Sequence, residues 1–519
     1  MRPLLLLLAL TAACAPSRAP DEMSLVVGRA SDALRLDPAL ITDTESAEVC
    51  EAIYEHLVRY RPGTSEIEPA LAESWEVSPQ GTEWTFHLRR GVRFHDGTPF
   101  DADAVVFSFD RQRDPNHPFH RKDFSYWDST FRNIVRVEKV DAYTVRIVID
   151  RPYAPFRDNL SMFPVSIVSP AAVRRWGEEY WRHPVGTGPF RFFDWTPGDR
   201  VTLVANSDYW GGAPRLSRLV FAYIRDARQR LVDLEGGSID VAENLAPQDL
   251  QFVALHPELR TAKSPGNNVG YLAMNLDRAP FNDPRVRRAV AHAIDRTPIV
   301  KLVYQGLASA ATGPLPPSTW GQAPVTPYAT DPDRARALLE EAGYDHALRP
   351  KLYVMSTPRI YMPAPEEVAR IIQGHLHEVG IDVELVVNPI GEHLRATGNG
   401  EHDLCLRGWS ADNRDPDNFL YVLFAGENAV PPSASNVAFV RDARLSGLLR
   451  WAQETSSRPE REQFYREAQY ILHETVPWVP LAHAEIRVAL RRRVAGLDVD
   501  PSGILYFQRV IVEAGGEAR

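Results

Sequence analysis

The strongest constraint on the fold is a pattern of helices that stop at glycine and hand over to strands, concentrated in residues 331–387. Asp331-Pro332 predicts a helix start, because Asp is an N-cap acceptor and a Pro at the first helical position loses nothing by lacking an N–H. The apolar face runs through Ala335, Leu338, Leu339 and Ala342, and Gly343 ends it. A second helix carries Val368, Ile372, Leu376 and Val379 on one face and ends at Gly380, before the strand-like Val383-Glu384-Leu385-Val386-Val387. Asp283-Pro284 marks another helix start. Trp84–Leu88 and Tyr143–Ile149 alternate apolar and polar residues and predict strands. Helix–Gly–strand units imply α/β lobes.

The chain has 519 residues, enough for roughly two to four domains. Hydrophobic residues make up 44% and charged residues 24%, a globular balance that argues against a wholly disordered chain. Lys and Arg number 58 against 68 Asp and Glu, and no Lys/Arg run is longer than three residues. Nucleic-acid binding needs clustered positive charge, so an acidic chain of this kind is a poor candidate for it and no nucleic-acid partner is expected. The 42 prolines predict many loops and irregular segments. There is no fixed-period repeat.

The first residues read as an export signal. Met1-Arg2-Pro3 is a short positive region, Leu4–Leu10 is apolar, and Thr11-Ala12-Ala13-Cys14 follows. The apolar run is far shorter than the ~20 residues a permanent span needs, and it fits the core of a secretory signal. The small-small-Cys ending resembles a bacterial lipobox, with Thr11 where Leu is usual. Residues 1–13 are expected to be removed and Cys14 lipidated. Residues 14–23, including Ala15-Pro16-Ser17-Arg18-Ala19-Pro20, would then form a tether holding the body outside the cytoplasm, in the periplasm or on the envelope exterior. Cys50 and Cys405 remain. Buried thiols are the favoured reading, with a disulfide left open.

No catalytic motif is present: no G-x-S-x-G, P-loop, H-E-x-x-H or G-x-G-x-x-G. The chain is therefore expected not to be an enzyme and to carry no cofactor. Gly186-Thr187-Gly188-Pro189-Phe190 is read as a turn rather than an anion nest. His375 and His377 lie two apart on a helix and point different ways, and His117 and His120 lack a carboxylate at ligand spacing, so no metal site is expected. Asp412-Asn413-Arg414-Asp415-Pro416-Asp417-Asn418 is dense in oxygen ligands. It lacks the spacing, central Gly and distal Glu of a calcium loop, and Arg414 puts a positive charge inside it. The alternative is an Asx-rich loop aiming one carboxylate into a cleft beside the aromatic Trp409.

Whole segments resemble the bacterial extracellular solute-binding proteins of the peptide/nickel class, family 5, which serve ABC importers. The matching stretches are Ala70–Ser78, Gly91–Phe100 running into Asp103–Ser108, Pro184–Phe190, Tyr209–Gly212, Asn268–Asn275 and Arg285–Val290. The resemblance covers nearly everything after the tether. Within the family, Gly408-Trp409-Ser410-Ala411-Asp412 through Phe419 is most similar to the ligand loop of periplasmic dipeptide-binding proteins. Pro358-Arg359-Ile360-Tyr361-Met362-Pro363 resembles the stretch that carries their carboxylate-gripping Arg, with Ile360 where a Pro is common.

The resemblance implies a two-lobed α/β clamshell with an extra β-rich subdomain in the first lobe. Lobe 1 would span 24–265, with the subdomain at about 58–184. Lobe 2 would span 266–484, and 485–519 would return to lobe 1. The crossings would fall near Pro265–Asn268 and His483–Glu485. The resemblance also implies a ligand site of Arg359, Tyr361, Gly408, Trp409 and Asp412, with Asp412 on a peptide α-ammonium and Arg359 on its α-carboxylate. The implied partners are a short peptide, dipeptide favoured, and an ABC permease and ATPase, with the binding protein itself a monomer. Oligopeptide, nickel chelate, haem, a sensory role and a secreted peptidase stay as alternatives.

Overall fold

The computed structural model describes residues 23–344 and 348–513. The signal segment and Cys14 lie outside the described residues. The fold is α/β and two-lobed, with two sheets joined through one long strand, Trp478–Arg491. In the first lobe Ser24–Arg29 runs parallel to both Arg218–Tyr223 and Val241–Ala242. Arg200–Ala205 and Phe190–Thr196 extend that sheet antiparallel. In the second lobe Asn268–Met274 lies between Leu404–Ser410 and the first half of the long strand. Lys351–Met355 and Glu384–Asn388 continue outward in parallel.

The long strand changes partners midway. Trp478 to Ala484 face Asn268–Met274 and Ala308–Ala310, whereas Glu485 to Arg491 face Leu259–Pro265. Leu259–Pro265 and Asn268–Met274 are consecutive, so both connections between the sheets meet at one place. Gly266 permits this closeness: a Cβ there would lie 2.1 Å from Asn268 Nδ2 and 2.2 Å from the Ala484 carbonyl oxygen. Asn268 ties the crossings together, accepting from Ala484 N–H at 2.9 Å and donating to its carbonyl at 3.0 Å.

Local chemistry explains the helices. Asp283 and Asp331 accept from the first-turn amides of Arg285 and Arg334 at 2.8 and 2.9 Å, with Pro284 and Pro332 at the helix starts. Such a cap contributes ~1 kcal/mol. Gly343 and Gly380 both have positive φ, where a side chain would strain the turn. Val368, Ile372 and Leu376 are fully buried, and Leu352, Val354, Leu404 and Leu406 on the sheet belong to the same core. Full burial of one such side chain is worth roughly 1.5–3 kcal/mol. The strand after Gly380 begins at Glu384, one residue later than its apolar run predicts. It lies at the sheet edge and its side chains stay half-exposed or exposed.

A separate four-stranded antiparallel sheet comprises Ala72–Val77, Glu83–Leu88, Thr144–Ile149 and Ile134–Asp141. Trp84, Phe86, Val145 and Ile147 supply part of its own core. Cys50 and Cys405 are buried free thiols in different lobe cores. Gly186 and Gly188 pack against the backbone of Ile53, and Gly188 N–H donates to the Ile53 carbonyl at 2.9 Å, which accounts for that Gly-rich turn structurally. No helix among the described residues is long and apolar enough to cross a membrane.

Candidate ligand-binding site

The second-lobe strand Leu404–Ser410 runs directly into the oxygen-rich loop, which reaches across to the first lobe. Asn413 Nδ2 donates to Asn159 Oδ1 at 2.7 Å. The Arg414 amide donates to Tyr60 Oη at 2.8 Å, and its guanidinium lies 4.6 Å from that ring's centroid. The same guanidinium bonds the Thr64 carbonyl and the Asp500 carboxylate. Asp415 pairs with Arg461 at 2.7 Å, and Asp417 accepts from Tyr153 Oη at 3.1 Å. The loop is thus an interface between lobes, with most of its polar side chains already spoken for.

Asp412 is the exception. Its carboxylate keeps an exposed face, yet protein crowds it from both lobes. Among the described residues its side chain makes one hydrogen bond, from Tyr126 Oη in the first lobe, at 3.3 Å. Burial pushes its pKa up to about 6, and the Tyr126 bond opposes that rise. Asp412 lines a chamber of about 30 Å³ between the lobes, together with Asn267, Met162, Phe163 and Ser502. Asn267 holds the loop's approach. Its Nδ2 donates to the carbonyls of Ala411 and Asn413 at 3.2 and 2.7 Å, and its own N–H donates to Pro501 on the first lobe at 2.7 Å.

Arg359 begins a tight turn closed by two backbone bonds with Met362, at 3.0 and 2.9 Å. Its guanidinium is exposed and has no hydrogen-bond or ion-pair partner among the described residues. Tyr361, in the turn, packs on the strand that carries the loop. A Cβ on Gly408 would fall 2.0 Å from its ring, and a Cβ on Gly270, the cross-strand partner of Gly408, would fall 2.4 Å from its carbonyl oxygen. Tyr304 Oη donates to that carbonyl at 2.6 Å. Two facing glycines therefore form a seat for the turn.

The structure brings Tyr361 and Gly408 into contact. It sets Asp412 in the inter-lobe chamber, whose lining includes none of Arg359, Tyr361, Gly408 and Trp409. Trp409 is half-buried against the second-lobe core, and its indole donates to Asn418 Oδ1 at 2.9 Å. Sequence reasoning missed Tyr126, Asn267 and the Arg414–Tyr60–Asp500 contact. Each depends on a partner far away along the chain, and no local pattern marks it.

These features define a two-lobed ligand clamp with its candidate site between the lobes. Residues 66–430 match the family model "Bacterial extracellular solute-binding proteins, family 5 Middle", and the chain belongs to that family. It is 35% identical to the dipeptide-binding protein of Escherichia coli, over 92% of each chain. It is 36% identical to heme-binding protein A of Haemophilus influenzae, over 92% of this chain and 90% of that one. The solved structure of the Helicobacter pylori periplasmic binding protein DppA, in complex with the peptide STSA, superposes with a TM-score of 0.77 at 35% identity, covering 94% of this chain and 98% of that one.

Proposed function

We propose that the chain captures short peptides, dipeptides by preference, by their charged ends and delivers them to an ABC permease and its ATPase. The observation that carries this reading is Asp412, a carboxylate left facing the inter-lobe chamber while the other acidic side chains of its loop are engaged. A peptide α-ammonium supplies the cation that Asp412 lacks. Arg359, exposed and without a side-chain partner among the described residues, offers the fork that a carboxylate accepts in two parallel bonds. Neither end of a zwitterion leaves water cheaply without such a partner. The dipeptide-binding relative supports the ligand class.

In this reading the lobes close about Pro265–Asn268 and His483–Glu485, where few dihedrals need to change. Lobe 1 takes residues 24–265 and 485–519, lobe 2 takes 266–484, and the β-rich subdomain lies at about 58–184. The mature protein starts at a lipidated Cys14, is held by the tether 14–23 on the outer side of a membrane, and works as a monomer. Replacing Cys14 by Ser should release the protein from the membrane fraction. A wild type that is already soluble and carries no lipid mass would remove the anchor.

A haem reading draws on one relative's name. His56, which lines a neighbouring chamber of the first lobe, is engaged by the Ser166 hydroxyl at 3.0 Å and faces Glu51. Calorimetric titration with Ala-Ala, N-acetyl-Ala-Ala, tetra-alanine and haemin decides among the ligands. Tight binding of Ala-Ala and weak binding of its acetylated form are expected. Equal binding of all three peptides would discard the end-capture reading, and binding of haemin alone would replace it.

A further inference from the structure

The chamber beneath Asp412 continues into the first lobe. It shares Glu51, Tyr60, Ser161, Arg414, Asp500 and Tyr506 with a second chamber of about 120 Å³. Glu51 stands at the junction. Its side chain is 9% exposed, and among the described residues it makes no hydrogen bond. Its nearest partner, His56 Nε2, lies 3.4 Å away and is the ring nitrogen that meets Ser166. Burial holds that imidazole down to about 4, so it is neutral at pH 7 and gives Glu51 no positive charge.

The other charged groups around the second chamber are largely committed. Glu55 accepts from Thr187, Tyr209 and Trp210. Arg414 is taken by Asp500, and Arg59 by Glu68 at 2.9 Å. Asp498 and Arg509 sit in the same wall; burial, then Asp500, raise the pKa of Asp498, and Arg414 and Arg509 oppose that rise. Among the described residues Glu51 makes no ion pair with an Arg or Lys, and it lies in a space that opens toward the ligand.

We propose that Glu51 is the recognition group for a positively charged ligand side chain, the ammonium or guanidinium of a peptide's first residue, held in this second chamber. The proposal rests on the short-peptide reading of Asp412 and adds a side-chain preference to it. The first residue is chosen because Asp412 and Glu51 line one chamber. A side chain that starts beside the α-ammonium enters there and extends inward. An organic cation suits the donor set, since no group of three metal-ligating side chains gathers among the described residues.

The chemistry accounts for the unliganded state too. Burial, then the nearby Asp500 and Glu55, raise Glu51 to about 8, so at pH 7 it satisfies itself by holding a proton. An incoming lysine ammonium favours the carboxylate and replaces that proton with a charge-assisted hydrogen bond. Binding near neutral pH should therefore release the Glu51 proton to solvent.

The test compares Lys-Ala with norleucyl-Ala, whose side chain ends in a methyl at lysine's Cε and lacks the ammonium. Each is titrated by calorimetry at pH 7 in two buffers of different ionisation enthalpy. Lys-Ala should bind at least ~10-fold more tightly and release about one proton more than norleucyl-Ala. In Glu51→Gln the affinity ratio should collapse toward one and the extra proton should vanish. The wild-type comparison stands alone if that variant does not fold. A wild-type ratio near one, or no extra proton, overturns the inference while leaving peptide binding intact. Tighter binding of Ala-Lys than of Lys-Ala overturns the choice of the first residue. Failure of every peptide to bind would instead bring down the underlying peptide reading, and this inference with it.

Discussion

Asp412 ionises near the pH of many assays, and that makes its role measurable. With its pKa raised to about 6, the carboxylate is charged above that pH and protonated below it. A bound ammonium favours the charged form, and the peptide's own α-amine loses its charge at about pH 8, so affinity for a neutral-side-chain dipeptide should hold between about pH 7.5 and 6.5. Below ~6 it should fall by up to tenfold per pH unit. Calorimetry across that range checks it, and a flat profile down to pH 4.5 would mean that Asp412 does not hold the amine. Asp412→Ala and Arg359→Ala should each cost ~2–5 kcal/mol of binding, the usual range for truncating one partner of a buried charge pair. Thermal melting should change little in either variant, because the Arg359 guanidinium has no partner to lose and Asp412 loses one 3.3 Å bond.

At the scale of elements, the Arg359–Met362 turn and the strand Leu404–Ser410 act together through the facing glycines. Gly408→Ala puts a methyl where the Tyr361 ring now lies and should cost ~1–3 kcal/mol of stability. Adding Tyr361→Ala should recover part of that loss. A double-mutant cycle by denaturant unfolding reads the coupling, and purely additive effects would show that the contact does not hold the turn.

Much of this level was legible beforehand because the signals are local. Pro284 and Pro332 follow their Asp caps directly, and Gly343 and Gly380 stop their helices within a few residues of the apolar faces they end. The site divided differently. Asp412 stood out by resemblance, but Asn413, Asp415 and Asp417 offered the same kind of oxygen. Only their partners Asn159, Arg461 and Tyr153 separate these engaged side chains from the carboxylate of Asp412, which lines the chamber with a single hydrogen bond among the described residues. Asn268 and Ala484, whose bonds tie the two crossings, are 216 residues apart, a distance no periodicity bridges.

On the scale of the whole molecule, Arg414 joins the lobes through several contacts at once. It is 4% exposed and meets Asp500, Thr64 and Tyr60 at once. Those contacts cross between the lobes, so parting the lobes would break them and leave Asp500 to water. Arg414→Ala should therefore act on closure rather than on folding. Peptide affinity should weaken by ~2–4 kcal/mol, with a much smaller change in unfolding. Small-angle scattering should show the wild type contracting on adding dipeptide and the variant needing more ligand to reach the same radius. An unchanged radius at saturating peptide in the wild type would remove the clamp motion. The most direct test of the central claim is a crystal structure of the dipeptide complex. The account predicts the peptide between the lobes, its α-ammonium within hydrogen-bond distance of Asp412 and its α-carboxylate on Arg359. A peptide bound elsewhere, or bound in the reverse direction, would contradict it.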